Sequence, residues 1–168
     1  MITEPKLENR NEQHYVAIRT QVTMQELDTA IQQLCREVLA WIAHQGIVPT
    51  GAPFLRNLVI DMKALLDIEV GIPTVSVEST NDRVRAGVLP AGLYASLVYT
   101  GWDSGIEANA ALLDWGAKQS LVWDAWETEQ GRAFGARLMS FLTDPNEEQD
   151  QAKWETEVAI RLADPHPR

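Results

Sequence analysis

GARLMSFLTDPNEEQDQAKWETEVAIRL, running from Gly135 to Leu162, is the stretch whose reading decides the fold. Two runs rich in β-formers, Ala136 to Leu142 and Glu155 to Leu162, flank a polar loop opened by Thr143-Asp144-Pro145. Pro145 fixes its own φ and biases Asp144 away from helical backbone, so the first strand stops there. In the second run Val158, Ile160 and Leu162 fall on one face and Glu157, Ala159 and Arg161 on the other, the period of a strand. The phrase has an earlier copy. Ile68-Glu69-Val70-Gly71-Ile72-Pro73 matches Thr156-Glu157-Val158-Ala159-Ile160-Arg161 around a shared Glu-Val-x-Ile core, 88 positions apart from Glu69 to Glu157. A glutamate set twice into an apolar strand points to a duplicated unit.

Working outward, His14 to Val22 alternates and is rich in Val, Ile, Thr and Tyr, a strand. Thr23-Met24-Gln25-Glu26 has the form of a capping box, and Leu27, Ile31, Leu34, Val38 and Ile42 follow as one helical stripe ended by Gly46. Pro49, Gly51 and Pro53 mark a loop. Phe54 to Asp61 and Leu65 to Ile72 then form a hairpin around Met62-Lys63-Ala64. Val75 to Asp82, with Ser79-Thr80-Asn81-Asp82 as turn formers, joins the halves. Arg83 to Leu89 and Leu93 to Thr100 are strands about a Pro90-Ala91-Gly92 turn. Ser104-Gly105-Ile106-Glu107 is a second capping box, opening a helix to about Gln119, and Trp123 to Gly131 is irregular, acidic and aromatic.

Each half therefore reads strand, capped helix, strand, strand. Tyr15 answers to Tyr94, Thr23 and Glu26 to Ser104 and Glu107, Phe54 to Phe134, and Glu69 to Glu157. The expected organisation is a flexible tail over 1–13, a single domain over 14–163 made of repeats 14–75 and 83–163, and a tail over 164–168. The expected fold is α/β of the α+β kind: two pseudo-two-fold β-α-β-β units forming one antiparallel sheet with both helices on one face.

Composition narrows the function. The chain has 168 residues, 45 % of them hydrophobic, which suits one globular domain. No run of apolar residues is long enough to span a bilayer, and the polar start MITEPKLENRNEQ is no secretory signal. A lone Cys35 makes no internal disulfide, so the cytoplasm is the expected compartment. A net charge of −10 repels nucleic-acid backbones and anionic membranes, so neither is an expected partner. His14, His44 and His166 lack metal-ligand spacing, and there is no P-loop, GxGxxG, GxSxG or HExxH, so no metal, cofactor or catalytic constellation is expected. Six tryptophans are many for this length and suggest a pocket or an interface.

Taken in order, Glu69-Val70-Gly71-Ile72-Pro73, Leu89-Pro90-Ala91-Gly92-Leu93-Tyr94-Ala95, Leu112-Leu113-Asp114-Trp115, Leu142-Thr143-Asp144-Pro145 and Trp154-Glu155-Thr156-Glu157 resemble the GyrI-like small-molecule-binding domain, the effector domain of multidrug-responsive transcription regulators. The resemblance covers almost everything from Tyr15 to Leu162. It implies a concave sheet face between the halves, opposite the helices, that holds flat, apolar and often cationic compounds. It also implies a stand-alone member acting as a sensor or sequestering protein. Two alternatives come with the family: hydrolysis of electrophilic compounds by a pocket carboxylate, and inhibition of a DNA-acting enzyme such as gyrase. A protein partner or a second copy of the chain stays open.

The resemblance also orders the candidate residues. The family commonly places a pocket glutamate two residues before the aromatic that precedes Leu-Thr-Asp-Pro. Here that aromatic is Phe141 and the slot holds Met139, which offers a polarisable apolar surface and no charge. Arg137, Met139 and Phe141 share a face by alternation. With Val70, Ile72, Val158 and Ile160 under the helices, Glu69 and Glu157 face the other side, where Glu69 either meets ligand or pairs with Arg137, Arg19 or Arg161. The expected ligand-binding set is Tyr15, Glu69, Tyr94, Trp102, Trp126, Met139, Phe141 and Trp154. Trp41 and Trp115 are expected in the core.

Overall fold

A computed structural model describes residues 1–61, 65–77, 80–81 and 83–165. The strands are β1 (Lys6–Arg10), β2 (Gln13–Val22), β3 (Phe54–Ile60), β4 (Leu66–Pro73), β5 (Arg85–Leu89), β6 (Gly92–Thr100), β7 (Ala125–Thr128), β8 (Gly131–Phe134), β9 (Arg137–Phe141) and β10 (Glu155–Arg161), with helices α1 (Leu27–His44) and α2 (Gly105–Lys118). All strand pairs are antiparallel, in the order β1-β6-β10-β9-β3-β4-β2-β5, and the β7–β8 hairpin attaches to the end of β3. The order strand, helix, strand, strand occurs twice, the second time with the β7–β8 hairpin inserted after the helix, and outward from the β9–β3 seam the sheet reads β9-β10-β6 on one side and β3-β4-β2 on the other.

Both helices lie on one face, where alternation in the outer strands places the branched aliphatic side chains. Val16, Ile18, Leu66, Ile68, Val70 and Ile72 receive Ile31, Leu34, Val38 and Ile42 of α1 in one core. Leu97, Tyr99, Val158 and Ile160 receive Ala108 and Leu112 of α2 in a second. Trp41 packs against the first core and Trp115 against the second. The opposite face carries Tyr15, Ala17, Phe54, Leu89, Tyr94, Ala136, Leu138 and Ala159, drawn from both ends of the sheet into a third cluster. Small residues there, among them Ala17, Ala136 and Ala159, let the sheet curl toward that side.

Tyr15 on β2 stands opposite Pro73, and Tyr94 on β6 opposite Arg161. Pro73 and Arg161 are as far apart in sequence as Glu69 and Glu157, so the two tyrosines hold equivalent ladder positions. Phe54 and Phe134 do not. Phe54 lies on β3 and Phe134 on β8, the added hairpin, whereas the strand that answers to β3 is β9.

Several expectations are corrected. The first thirteen residues are not a free tail: β1 pairs with β6 over Lys6–Arg10, and Thr3 N donates to Val98 O. Without β1 the outer edge of β6 would present a row of unpaired backbone groups. Trp123 to Gly131 is not irregular, since Ala125–Thr128 and Gly131–Phe134 form a hairpin that continues the sheet beyond a bulge at Asn57/Val59. The Thr23 box closes one turn ahead of the helix: Thr23 N donates to Glu26 Oε1 at 3.0 Å and Glu26 N to Thr23 Oγ1 at 3.3 Å, while the N-cap of α1 is Glu26 and not Thr23. The Ser104 box does not, because a 3-10 turn over Trp102–Ser104 leads straight into α2 and Ser104 makes no side-chain cap bond. Asn81 is a turn former, its Oδ1 accepting from Arg83 N and Val84 N. The Met62-Lys63-Ala64 turn, Ser79, Asp82 and His166 lie outside the described residues.

The Pro90-Ala91-Gly92 turn ties the ends of the sheet to its middle. Tyr94 Oη donates to Pro90 O at 2.7 Å and Arg161 Nε to Ala91 O at 3.0 Å. Gly92 has φ +152°, and a Cβ there would lie 2.7 Å from Arg161 Nε, so only glycine fits beneath that guanidinium.

Candidate functional site

Each helix covers the outer strands of its own half, and neither reaches far over the central pair, β3 and β9. The gap between them is a cavity of about 610 Å³. Leu55 of β3 and Arg137, Met139 and Phe141 of β9 form its floor. Leu27 and Ile31 of α1 and Ile106, Asn109 and Leu113 of α2 form its walls, while Tyr99 and Trp102 add aromatic surface. Leu55 and Met139 stand directly opposite each other across the β3–β9 seam. A volume in this range suits a drug-sized molecule, and the predominantly apolar lining with a few polar groups is the usual make-up of such a site.

The face away from the helices, where the resemblance places the ligand groove, carries a smaller cavity of about 440 Å³ lined by Arg10, Phe54, Leu89, Tyr94, Leu138 and Glu157 among others. Its charges are already matched. Arg10 Nη2 donates to Glu157 Oε1 at 2.9 Å, reaches Glu8 at 2.7 Å, and its guanidinium lies over the Tyr94 ring at 5.2 Å.

The candidate residues divide between these places. Met139, Phe141 and Trp102 line the larger cavity. Trp154 stands behind Trp102, edge to face at 5.5 Å, with its Nε1 donating to Glu148 O, and Trp102 in turn leans on Phe141 at 5.7 Å. Tyr94 lines the smaller cavity. Tyr15 and Glu69 face away from the helices in a closed network: Tyr15 Oη donates to Glu69 Oε1 at 2.5 Å, Arg56 Nη1 donates to Tyr15 Oη at 2.7 Å, and Arg56 lies 3.7 Å from Glu69. The partner of Glu69 is thus Arg56, not Arg137, Arg19 or Arg161. Alternation gives the face of a side chain, but the partner depends on register, and β3 sets Arg56 beside Glu69. Trp126, on β7, is 52 % exposed and lines neither cavity.

Arg137 and Asn109, polar groups of the larger cavity, lie outside the expected ligand-binding set. Arg137 Nη2 donates to Asn109 Oδ1 at 3.2 Å, and Asn109 Nδ2 donates to Gly105 O at 2.8 Å and meets Met139 Sδ at 3.9 Å. Burial lowers the pKa of Arg137 to about 10, with Arg132 pushing the same way, and leaves it a cation at neutral pH. Asp28 and Asp103 line the cavity from exposed positions. Burial, and secondarily the Asp28 charge, raises the pKa of Tyr99, keeping its hydroxyl neutral. Cys35 is likewise raised by burial, the opposite of an activated thiol. Among the described residues no group of three His, Cys, Asp or Glu could hold a metal ion, and no helix is long and apolar enough to cross a membrane.

The model of the GyrI-like small molecule binding domain matches residues 3–163. The chain belongs to that family. Among solved structures this GyrI-like domain resembles the EcmrR C-terminal domain, with TM-score 0.73 and 17 % identity over 96 % of this chain and 98 % of that one. It spans 57 % of the longer EcmrR chain in a DNA complex, at TM-score 0.74 and 18 % identity over 95 % of this chain. It also resembles SAV2435 bound to tetraphenylphosphonium (TM-score 0.65, 9 % identity, 96 % and 94 % covered) and a hydrolase from Listeria innocua (TM-score 0.62, 12 % identity, 95 % and 92 % covered). No curated protein matches the sequence.

Proposed function

We propose that the protein binds apolar aromatic small molecules in the cavity between α1 and α2, in a sensing or sequestering role in the cytoplasm. The observation that carries the reading is the cavity itself: about 610 Å³, floored by Leu55, Met139 and Phe141 and flanked by Trp102. Aromatic faces and a thioether give a flat apolar body its contact area. The family membership and the tetraphenylphosphonium held by SAV2435 support a bulky aromatic ligand. Lipophilic cations are a poorer fit here, because Met139 stands in the slot where the family commonly has glutamate and Arg137 is the charged group beside it. Internal duplication of the β-α-β-β unit accounts for a site on the seam, since the seam is where two half-sheets meet and two helices part.

The test is tryptophan-fluorescence titration with a neutral naphthalene amide, using two cavity-filling variants. Ala110 lines the larger cavity from α2 and Ala52 lines the smaller. Ala110→Trp is expected to weaken binding more than about tenfold, and Ala52→Trp to leave it within about threefold. The reverse pattern would move the site to the other face and overturn the reading.

A further inference from the structure

Arg137 is the one charged side chain on the floor of the larger cavity, and its charge is unanswered. The other arginines with buried or half-buried guanidinium groups each meet a carboxylate: Arg10 with Glu157, Arg56 with Glu69, and Arg161 with Asp124 and Asp164. Among the described residues none stands within ion-pair distance of Arg137. Its Nε is buried with no partner. The Nε of Arg56 is also unpartnered, but that guanidinium has Glu69, Tyr15 and the Gly135 carbonyl on its other nitrogens. Arg137 has only the neutral Asn109 oxygen and, at 4.9 Å, the face of Phe134. A guanidinium offers five donors, so most of its capacity is unused, and burial of a cation without a counter-charge is unfavourable.

We propose that the ligand of this cavity is an aromatic monoanion, a flat apolar body carrying one carboxylate or equivalent oxygen anion, which Arg137 binds with help from Asn109. The proposal rests on the larger cavity being the small-molecule site, as argued above. Guanidinium and carboxylate match in shape and can form two parallel hydrogen bonds. Met139 and Phe141, on the same strand face, receive the aromatic body. Asp28 and Asp103 at the exposed rim, together with a net charge of −10, disfavour a second negative group at the mouth, so a monoanion suits the site better than a polyanion.

The experiment compares 2-naphthoate, 2-naphthamide and 2-naphthylmethylammonium on the full chain by tryptophan fluorescence and calorimetry. Naphthoate is expected to bind about tenfold or more tightly than the ammonium and more tightly than the amide. Arg137→Gln is expected to remove about tenfold or more of the naphthoate affinity and to leave the amide within about threefold, while Arg137→Lys retains part of the gain. Circular dichroism shows whether each variant is folded. If Arg137→Gln does not fold, the ranking of the three ligands on the wild-type chain decides. Amide binding with naphthoate no tighter, or naphthoate binding that Arg137→Gln leaves unchanged, overturns the proposal while the small-molecule reading stands. Binding of none of the three overturns both.

Discussion

Met139 and Arg137 are two residues apart on one strand face, and each changes what the other can do. A glutamate at 139 would lie among Phe141, Leu55 and Asn109, where burial raises a carboxylate pKa and a cationic neighbour lowers it again. Arg137 is that neighbour. Met139→Glu alone is therefore expected to pair with Arg137 and raise affinity for tetraphenylphosphonium only slightly. With Arg137→Gln added, the carboxylate is released to the ligand. The double variant should gain roughly 1–3 kcal/mol, about five- to 150-fold, in fluorescence titration. Equal affinity in wild type and the folded double variant would mean that Met139 does not line the site. Glu69, the other carboxylate candidate, is held by Tyr15 and Arg56 on the far face, and a ligand there would have to displace both.

At the scale of elements, two sequences of one form behave differently. Thr23 and Glu26 exchange hydrogen bonds ahead of α1, and these bonds favour the ionised Glu26 carboxylate, whose pKa is lowered. Ser104 and Glu107 form no such box ahead of α2. Thr23→Ala is therefore expected to cost about 1 kcal/mol of stability and Ser104→Ala to stay within roughly 0.5 kcal/mol, measured as shifts of the urea midpoint. A comparable loss in both would contradict the difference between the helix starts. The strands were legible wherever five or more residues alternated against a helix. They were not legible in β1, whose KLENR carries one apolar residue, or in β7 and β8, which are four residues each. These short or polar strands form because an edge of the sheet offers them backbone partners.

The whole molecule has three tyrosines, and all are buried with raised pKa. Burial is the leading cause in each, since it disfavours the phenolate; Glu69 adds to it at Tyr15. An unfolded tyrosine ionises near pH 10, so above about that value the unfolded chain releases protons that the native chain retains. Stability from these groups is complete below about pH 10 and falls as pH rises further, by up to about 1.4 kcal/mol per pH unit for each tyrosine. Arg137 acts in the opposite sense, one group against three, because its lowered pKa lets the native state lose a proton first. Tyrosinate absorbance is therefore expected to appear together with alkaline unfolding followed by circular dichroism. Ionisation of the tyrosines in a chain that is still folded near pH 10 would contradict this.

The sequence by itself determined the strand-helix-strand-strand order, which residues within a strand share a face, and the match of Tyr15 with Tyr94 and of Glu69 with Glu157. These follow from local periodicity and from a repeated phrase, both of which are written along the chain. Met139, Phe141 and Trp102 were also candidates: the family resemblance pointed to the slot at Met139, alternation set Phe141 on the same face, and Trp102 stands just before the second helix. Only the tertiary structure decided which face holds the larger cavity. That depends on how far two helices spread over β3 and β9, a distance set by side chains remote in sequence. It also decided that Arg56, not Arg137, answers Glu69, since ion pairs follow register across strands and not spacing along one. The unanswered charge of Arg137 is a property of everything packed around it, which is why no pattern in its own strand could reveal it.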